Sequence, residues 1–195
     1  CIRDRFDGIW QQVEADKASL EQALAQCGRS ASHGALLYLD LDHFKDVNDT
    51  LGHEWGDELL RQAGIRLCQC VRTTDTVARL GGDEFVVVLQ GLDAQAAEAA
   101  MQAEAVAQKI LMQLNVPYAL TGAELHCPPS IGIALFQDAQ LSVLELLQRA
   151  DMAMYQAKAQ GRNAMSFFDP AMQAQASARA ALEADVRQGL ERMEF

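Results

Sequence analysis

Basic residues are scarce in this chain: 16 Lys and Arg stand against 27 Asp and Glu over 195 residues, a formal charge of −11. A surface of that sign repels long polyanions and argues against a duplex DNA or RNA binder. It leaves room for a single nucleotide whose phosphates a divalent cation screens. No apolar run approaches the roughly 20 residues of a membrane-spanning helix. The first residues, Cys1-Ile2-Arg3-Asp4-Arg5-Phe6, are charged from the start and do not read as a secretory leader. Proline is rare, at 4 residues, and half the residues are apolar, a globular and not a disordered composition. The 5 cysteines (Cys1, Cys27, Cys68, Cys70, Cys127) are odd in number and form no C-x-x-C pair. That argues against a disulfide framework or a zinc site and fits reduced thiols of a cytoplasmic protein. The length suits one domain, with or without an appendage, and a core that needs no disulfide or structural metal.

The pattern that is present alternates helices and strands. Residues 9–27 carry Ile9, Val13, Leu20 and Leu24 at helical spacing, ending before Gly28. Residues 34–40 form a short apolar run that reads as a buried strand. Asp42 is placed to cap a short helix that stops at Gly52, with a longer helix over 57–71. Residues 76–89 read as two apolar strands around Gly81-Gly82, a hairpin signal, because paired glycines accept the positive φ of a tight turn. An Ala-rich helix over 93–114 follows, then two short strands around Gly122, a buried strand over 130–136, a helix from Ser142 to about Gln160, and a last strand within 163–168. From Pro170 the chain reads as a charged Ala/Gln-rich helix. The expected fold is an α/β sandwich whose sheet is at least partly antiparallel.

Three acidic positions carry the candidate chemistry. Asp40 ends the strand at 34–40, and Asp83 and Glu84 sit on the hairpin turn. A carboxylate at the end of a buried strand is costly unless it is paired or holds a cation. Two such strand ends in one sheet can converge on Mg²⁺, which takes oxygen ligands and leaves positions for substrate phosphates. The simpler reading is that Asp and Gly merely make turns.

Gly81-Gly82-Asp83-Glu84-Phe85 on a hairpin resembles the signature of the GGDEF family of diguanylate cyclases. Four further stretches resemble that family in order and spacing. They are Asp40 through Asp49, Gly52-His53-Glu54-Trp55-Gly56-Asp57, Ser130 through Ala134, and Ala150 through Asn163. The resemblance implies a palm-type cyclase fold: a mostly antiparallel sheet of about five strands, flanked by helices, with the signature on a β-hairpin. It implies condensation of two GTP to cyclic di-GMP and two pyrophosphates by a homodimer, with one GTP per subunit. Asp40, the Leu41 carbonyl and Asp83 would hold Mg²⁺ or Mn²⁺. Asp83 would also take the 3′-hydroxyl proton, with Glu84 supporting the site and Lys45 meeting phosphate charge in the transition state. Asn48 and Asp57 would read guanine, His53 would lie beside the nucleotide, Gly81 and Gly82 would let backbone approach the phosphates, and Lys158 and Arg162 would reach the terminal phosphates. Arg72-Thr73-Thr74-Asp75 matches the family's R-x-x-D inhibitory site for the product.

The chain departs from the family pattern in two places. Ile2-Arg3 stands where Asn-Arg is expected, and Pro128-Pro129 precedes Ser130, so that strand must start late or run along an edge. The resemblance further implies a cyclase domain over 1–168 and, over 169–195, a linker helix into an EAL-type phosphodiesterase domain. A sensor would lie N-terminal to it, and the full-length protein could be membrane-anchored. The competing function is a silent module that binds GTP or cyclic di-GMP and controls an attached phosphodiesterase. A palm-type cyclase acting on ATP is disfavoured by Asn48 and Asp57.

Overall fold

The apolar run that begins at His33 becomes the middle strand of a five-stranded sheet, with hydrophobic side chains on both faces. In the computed structural model, which describes residues 32–120, 123–137 and 141–169, the elements run in this order. Strand β1 (His33–Leu41) leads to helices α1 (Phe44–Leu51) and α2 (His53–Cys70). Strands β2 (Thr76–Gly81) and β3 (Glu84–Leu92) form the hairpin, and α3 (Ala96–Leu114) follows. Then come β4 (Tyr118–Leu120), β5 (Ala123–Leu125), β6 (Pro129–Phe136), α4 (Val143–Ala159) and β7 (Met165–Phe167). The sheet order is β2-β3-β1-β6-β7, antiparallel except for the β6–β7 pair; β4 and β5 make a separate two-stranded ribbon. The fold is thus the mixed α/β architecture that the sequence pattern implies. The helix over 9–27 and the helix from Pro170 lie outside the described residues.

The period-2 alternation of β1 sorts the core into two layers. Ala35, Leu37, Leu39 and Leu41 face α2 and α3, meeting Leu59, Ala63 and Leu67 of α2 and the Ala99, Ala103, Ala107 stripe of α3. Leu36 and Tyr38 face α4 through Leu146, Ala150 and Met154. Each buried Leu or Val contributes roughly 1.5–3 kcal/mol, enough in sum to hold a few costly polar groups at the strand ends. Helix α4 starts on a capping box between Ser142 and Glu145 and crosses β6 at Gly132. A Cβ at Gly132 would stand 1.9 Å from the Ala150 carbonyl, so glycine sets how closely helix and sheet approach.

Two expectations are corrected. Helix α2 begins at His53, four residues before the expected start. Asp42 does not cap α1: the N-cap residue is His43, in a left-handed conformation with φ 64°, and no side chain caps that end. Strand β6 is an interior strand that starts at Pro129, opposite Leu41. The prolines are tolerated because the ladder ends there: Asp42 N–H donates to the Pro128 carbonyl at 2.8 Å. Pro128 returns no N–H, and the Asp42 carbonyl accepts instead from the Cys127 thiol at 3.3 Å.

Candidate active site

The hairpin and the end of β1 bring the acidic residues together. Asp40 stands opposite Glu84 in the β1–β3 register, and the Leu41 N–H donates to the Asp83 carbonyl at 3.3 Å. N–H and C=O of one strand residue share an edge, so the Leu41 carbonyl faces the hairpin turn too. The turn closes on Gly82, at φ 51°, and the Arg79 guanidinium donates to the Gly82 carbonyl at 2.9 Å. On the other side, Lys158 near the end of α4 places Nζ 2.7 Å from Asp40 Oδ1.

Electrostatics at this corner are dominated by carboxylates. Burial, together with the charges of Asp83 and Asp42, raises the Asp40 carboxyl above its ordinary value, and the Lys158 hydrogen bond opposes them. Tyr38, two residues earlier on the same sheet face, is raised by burial and then by Glu84, which accepts its hydroxyl hydrogen bond. Burial and the nearby Asp42, Asp83 and Asp40 push the Cys127 thiol up to about 12. Cys127 and Cys70 are buried and Cys68 half-buried, as expected of free thiols; Cys1 and Cys27 lie outside the described residues.

Such a corner fits a hard divalent cation. Asp40 and Asp83 would offer carboxylate oxygens and Leu41 a carbonyl, and the Lys158 amine stands within reach of Asp40. Among the described residues no group of three or more His, Cys, Asp and Glu side chains is arranged to hold a metal ion. A cation here would rest on two carboxylates and a carbonyl and complete its shell with water and phosphate, the arrangement Mg²⁺ favours.

Asn48 packs against α2 at Gly56, the residue before Asp57 in the chain. The Asn48 amide lies so close over α2 that a Cβ at Gly56 would stand 1.9 Å from its Oδ1. Gly56 therefore admits Asn48 beside Asp57, which is exposed, as are His53 and Lys45. Arg162, 51% exposed, follows Lys158 on the turn after α4. That turn is unusual: Gly161, Arg162 and Asn163 all have positive φ, at 122°, 63° and 47°. Left-handed non-glycine residues cost of order 1 kcal/mol each and persist only where the surroundings hold them.

The holder is Asp42, whose contribution here the sequence reading did not anticipate. Its carboxylate is almost fully buried, accepting the Ser130 hydroxyl at 2.8 and 3.0 Å and the Asn163 N–H at 2.9 Å. A carboxylate two residues from Asp40, directly after an apolar strand pattern, was the available signal; its partners lie 88 and 121 residues away.

Arg72 and Asp75 lie apart from this corner. Asp75 accepts the N–H groups of Arg72 at 2.8 Å and Gln90 at 3.2 Å, so its carboxylate shapes the loop before β2. Both residues line a groove of about 330 Å³ between α2, β3 and α3, with Gln102 and Lys109 on its wall.

Comparison with known proteins agrees with this geometry. The family model described as "Diguanylate cyclase, GGDEF domain" matches residues 9–164. The bifunctional diguanylate cyclase/cyclic di-GMP phosphodiesterase MucR of Pseudomonas aeruginosa is 42% identical over 90% of this chain and 25% of its own length. The cyclic di-GMP phosphodiesterase NbdA of the same organism is 36% identical over 95% of this chain and 23% of its own length. This chain thus spans about a quarter of the length of these curated relatives. The crystal structure of the GGDEF domain of PA1120 (YfiN or TpbB) from Pseudomonas aeruginosa superimposes with a TM-score of 0.73 at 35% identity, covering 81% of this chain and 98% of that one. With its hairpin signature, its sheet order and a family match over most of its length, the chain belongs to the GGDEF family of diguanylate cyclase domains.

Proposed function

We propose that this domain condenses two GTP molecules into cyclic di-GMP and two pyrophosphates. The observation that carries the reading is the convergence of Asp40, Asp83 and Glu84 at one sheet corner beside Lys158. In each half-reaction the 3′-oxygen of one GTP bonds to the α-phosphorus of the other, and the bond to pyrophosphate breaks. A Mg²⁺ or Mn²⁺ held by Asp40, Asp83 and the Leu41 carbonyl would neutralise phosphate charge and polarise the reacting phosphorus. Asp83 accepts the proton of the attacking hydroxyl, and Glu84 holds the field of the site. Asn48 and Asp57 read guanine, since a carboxylate can accept from both N1–H and the 2-amino group, a pair adenine does not offer. His53 flanks the nucleotide, and Gly81 and Gly82 let main chain approach the phosphates. Lys45, Lys158 and Arg162 supply positive charge along the triphosphate.

One site holds one GTP, so two copies must face each other for both bonds to form. Arg72 and Asp75 take the product and restrain the enzyme, and the neighbouring groove gives it room. Residues 1–168 form the cyclase domain and 169–195 lead into a phosphodiesterase domain of the EAL type, in a cytoplasmic setting. Among the described residues no helix is long and apolar enough to cross a membrane. Incubation with GTP and Mg²⁺, with products identified by mass, tests the reading. Cyclic di-GMP should appear at a specific rate that rises with protein concentration, and unconverted GTP at every concentration would overturn it. The second reading, a silent nucleotide-binding module that controls a phosphodiesterase, is favoured by the similarity to NbdA, a phosphodiesterase by name. It predicts GTP binding without turnover.

A further inference from the structure

The buried Asp42 carboxylate has no part in the reaction just described, yet it joins three segments. It follows directly on β1, shares the hydroxyl hydrogen of Ser130 of β6 between its two oxygens, and accepts the Asn163 N–H from the turn between α4 and β7. Its own main chain is held on both sides, by Pro128 and by Cys127. An ionised oxygen accepting a main-chain N–H makes a strong, short bond, stronger still away from water. This bond fastens a turn in which three successive residues have positive φ. Asn163 has a second tie, its Oδ1 accepting from the Asn115 amide at 2.9 Å. Arg162, between Gly161 and Asn163, is tied through its N–H to the Ala157 carbonyl at 3.2 Å, while its Nε stands 4.0 Å from Asp42 Oδ1. The guanidinium is therefore drawn toward Asp42 without being consumed by it, and remains half-exposed.

We propose that Asp42 is a positioning residue for triphosphate binding: it locks the left-handed turn after α4 so that Arg162 is presented toward the terminal phosphates. The proposal rests on the cyclase reading of the site. It assigns to the second aspartate of the Asp40-Leu41-Asp42 run a task distinct from that of the first. Asp40 serves the metal end of the nucleotide, and Asp42 acts through Arg162 on the far end. The main-chain locking matters because an arginine on a free turn would have to be ordered at each binding event, and that ordering lowers affinity.

The test measures equilibrium binding of two probes with Mg²⁺ to the whole chain. One is 3′-deoxy-GTP, which lacks the attacking hydroxyl and cannot turn over; the other is GMP, which lacks the terminal phosphates. Asp42→Asn should weaken 3′-deoxy-GTP roughly tenfold and leave GMP unchanged. In an Arg162→Ala background the same change should add little further loss, since the two residues act as one unit. Equal weakening of both probes, full additivity with Arg162→Ala, or unchanged triphosphate affinity would each overturn the proposal. If Asp42→Asn does not fold, Ser130→Ala carries the same test, because it leaves the carboxylate and removes the hydroxyl that orients it. A wild-type chain that binds neither probe overturns the cyclase reading and this proposal with it. Wild-type binding with no triphosphate-specific loss in the variants overturns this proposal alone.

Discussion

Lys158 Nζ stands 2.7 Å from Asp40 Oδ1, which ties the last turn of α4 to the end of β1. The pair is partly buried, with the Asp40 side chain 16% exposed, so the ammonium offsets part of the cost of burying the carboxylate. The offset is incomplete: burial and the neighbouring Asp83 and Asp42 still leave the Asp40 carboxyl above its ordinary value. Under the proposed function a divalent metal would compete with the lysine for this carboxylate, and a nucleotide that draws Lys158 toward its phosphates would free Asp40 for the metal.

The sign of that shift makes a stability prediction. A carboxyl raised in the folded state keeps its proton to higher pH than in the unfolded chain. Folding stability from this group is therefore lost as pH rises from the ordinary carboxylate value through the raised one, and at neutral pH ionised Asp40 is a net cost. Asp40→Asn should raise the melting temperature at pH 7 by a few degrees, where each kcal/mol corresponds to roughly 2–4 °C. Mg²⁺ should stabilise the wild type and not the variant, and cyclase activity should vanish. Scanning calorimetry with and without Mg²⁺ checks all three; a destabilised variant that still responds to Mg²⁺ would remove Asp40 from the metal site.

Asp83→Ala should abolish cyclic di-GMP formation while the fold survives. The residue is half-exposed on the hairpin turn, and its structural contact is a main-chain carbonyl that the substitution keeps. Circular dichroism and turnover would be measured together. Activity retained in a folded variant would show that another group takes the proton.

Asp57→Ala should raise the Michaelis constant for GTP and erode discrimination against ATP, because a site built to hydrogen-bond one base rejects the base that leaves it unpaired. The side chain is exposed at the start of α2, so stability should change by no more than about 0.5 kcal/mol. Competition between GTP and ATP gives the ratio directly, and an unchanged ratio places base reading elsewhere.

Arg72→Ala should weaken cyclic di-GMP binding tenfold to a hundredfold, from the loss of about 1.5–3 kcal/mol of charged hydrogen bonding. Early rates should hold while more product accumulates before the reaction stalls. Asp75 is committed to the main chain of Arg72 and Gln90, so Asp75→Ala should additionally loosen the loop and lower stability. Identical progress curves and identical product affinity in wild type and Arg72→Ala would leave the pair as a loop-shaping element only.

Gly132→Ala tests the packing that holds the site. Its new Cβ would meet the Ala150 carbonyl at 1.9 Å and the Met154 N–H at 2.2 Å, both main-chain atoms that cannot turn away. Helix α4 would have to lift from β6, at a cost of about 2–4 kcal/mol, and carry Lys158 off Asp40. Chemical denaturation should show the loss, together with weaker triphosphate binding; a neutral substitution would mean that the helix shifts freely over the sheet.

Local pattern was enough to determine the hairpin, the strand that becomes β1 and the helix α4, whereas the corner where Asp40 stands opposite Glu84 depends on the pairing of β1 with β3. The hairpin turn depends on residues adjacent in the chain, and two-strand alternation dictates which side chains share a face. What each polar side chain does there was decided by the tertiary structure. Asp42 reads as a helix cap because Asp next to a helical pattern usually is one. In the fold, a buried carboxylate instead takes the strongest donors that packing brings to it, from Ser130 and Asn163. The ion pair of Lys158 with Asp40 joins residues 118 positions apart, and no local pattern announces it. Pro128-Pro129 leaves open whether the next strand starts late or runs along an edge; in the fold β6 lies inside the sheet and begins at Pro129, and the Cys127 thiol supplies the donor that Pro128 lacks. Main-chain conformation follows from near neighbours, whereas the partner of a buried charge is chosen by contacts across the whole chain, and only the folded arrangement contains them.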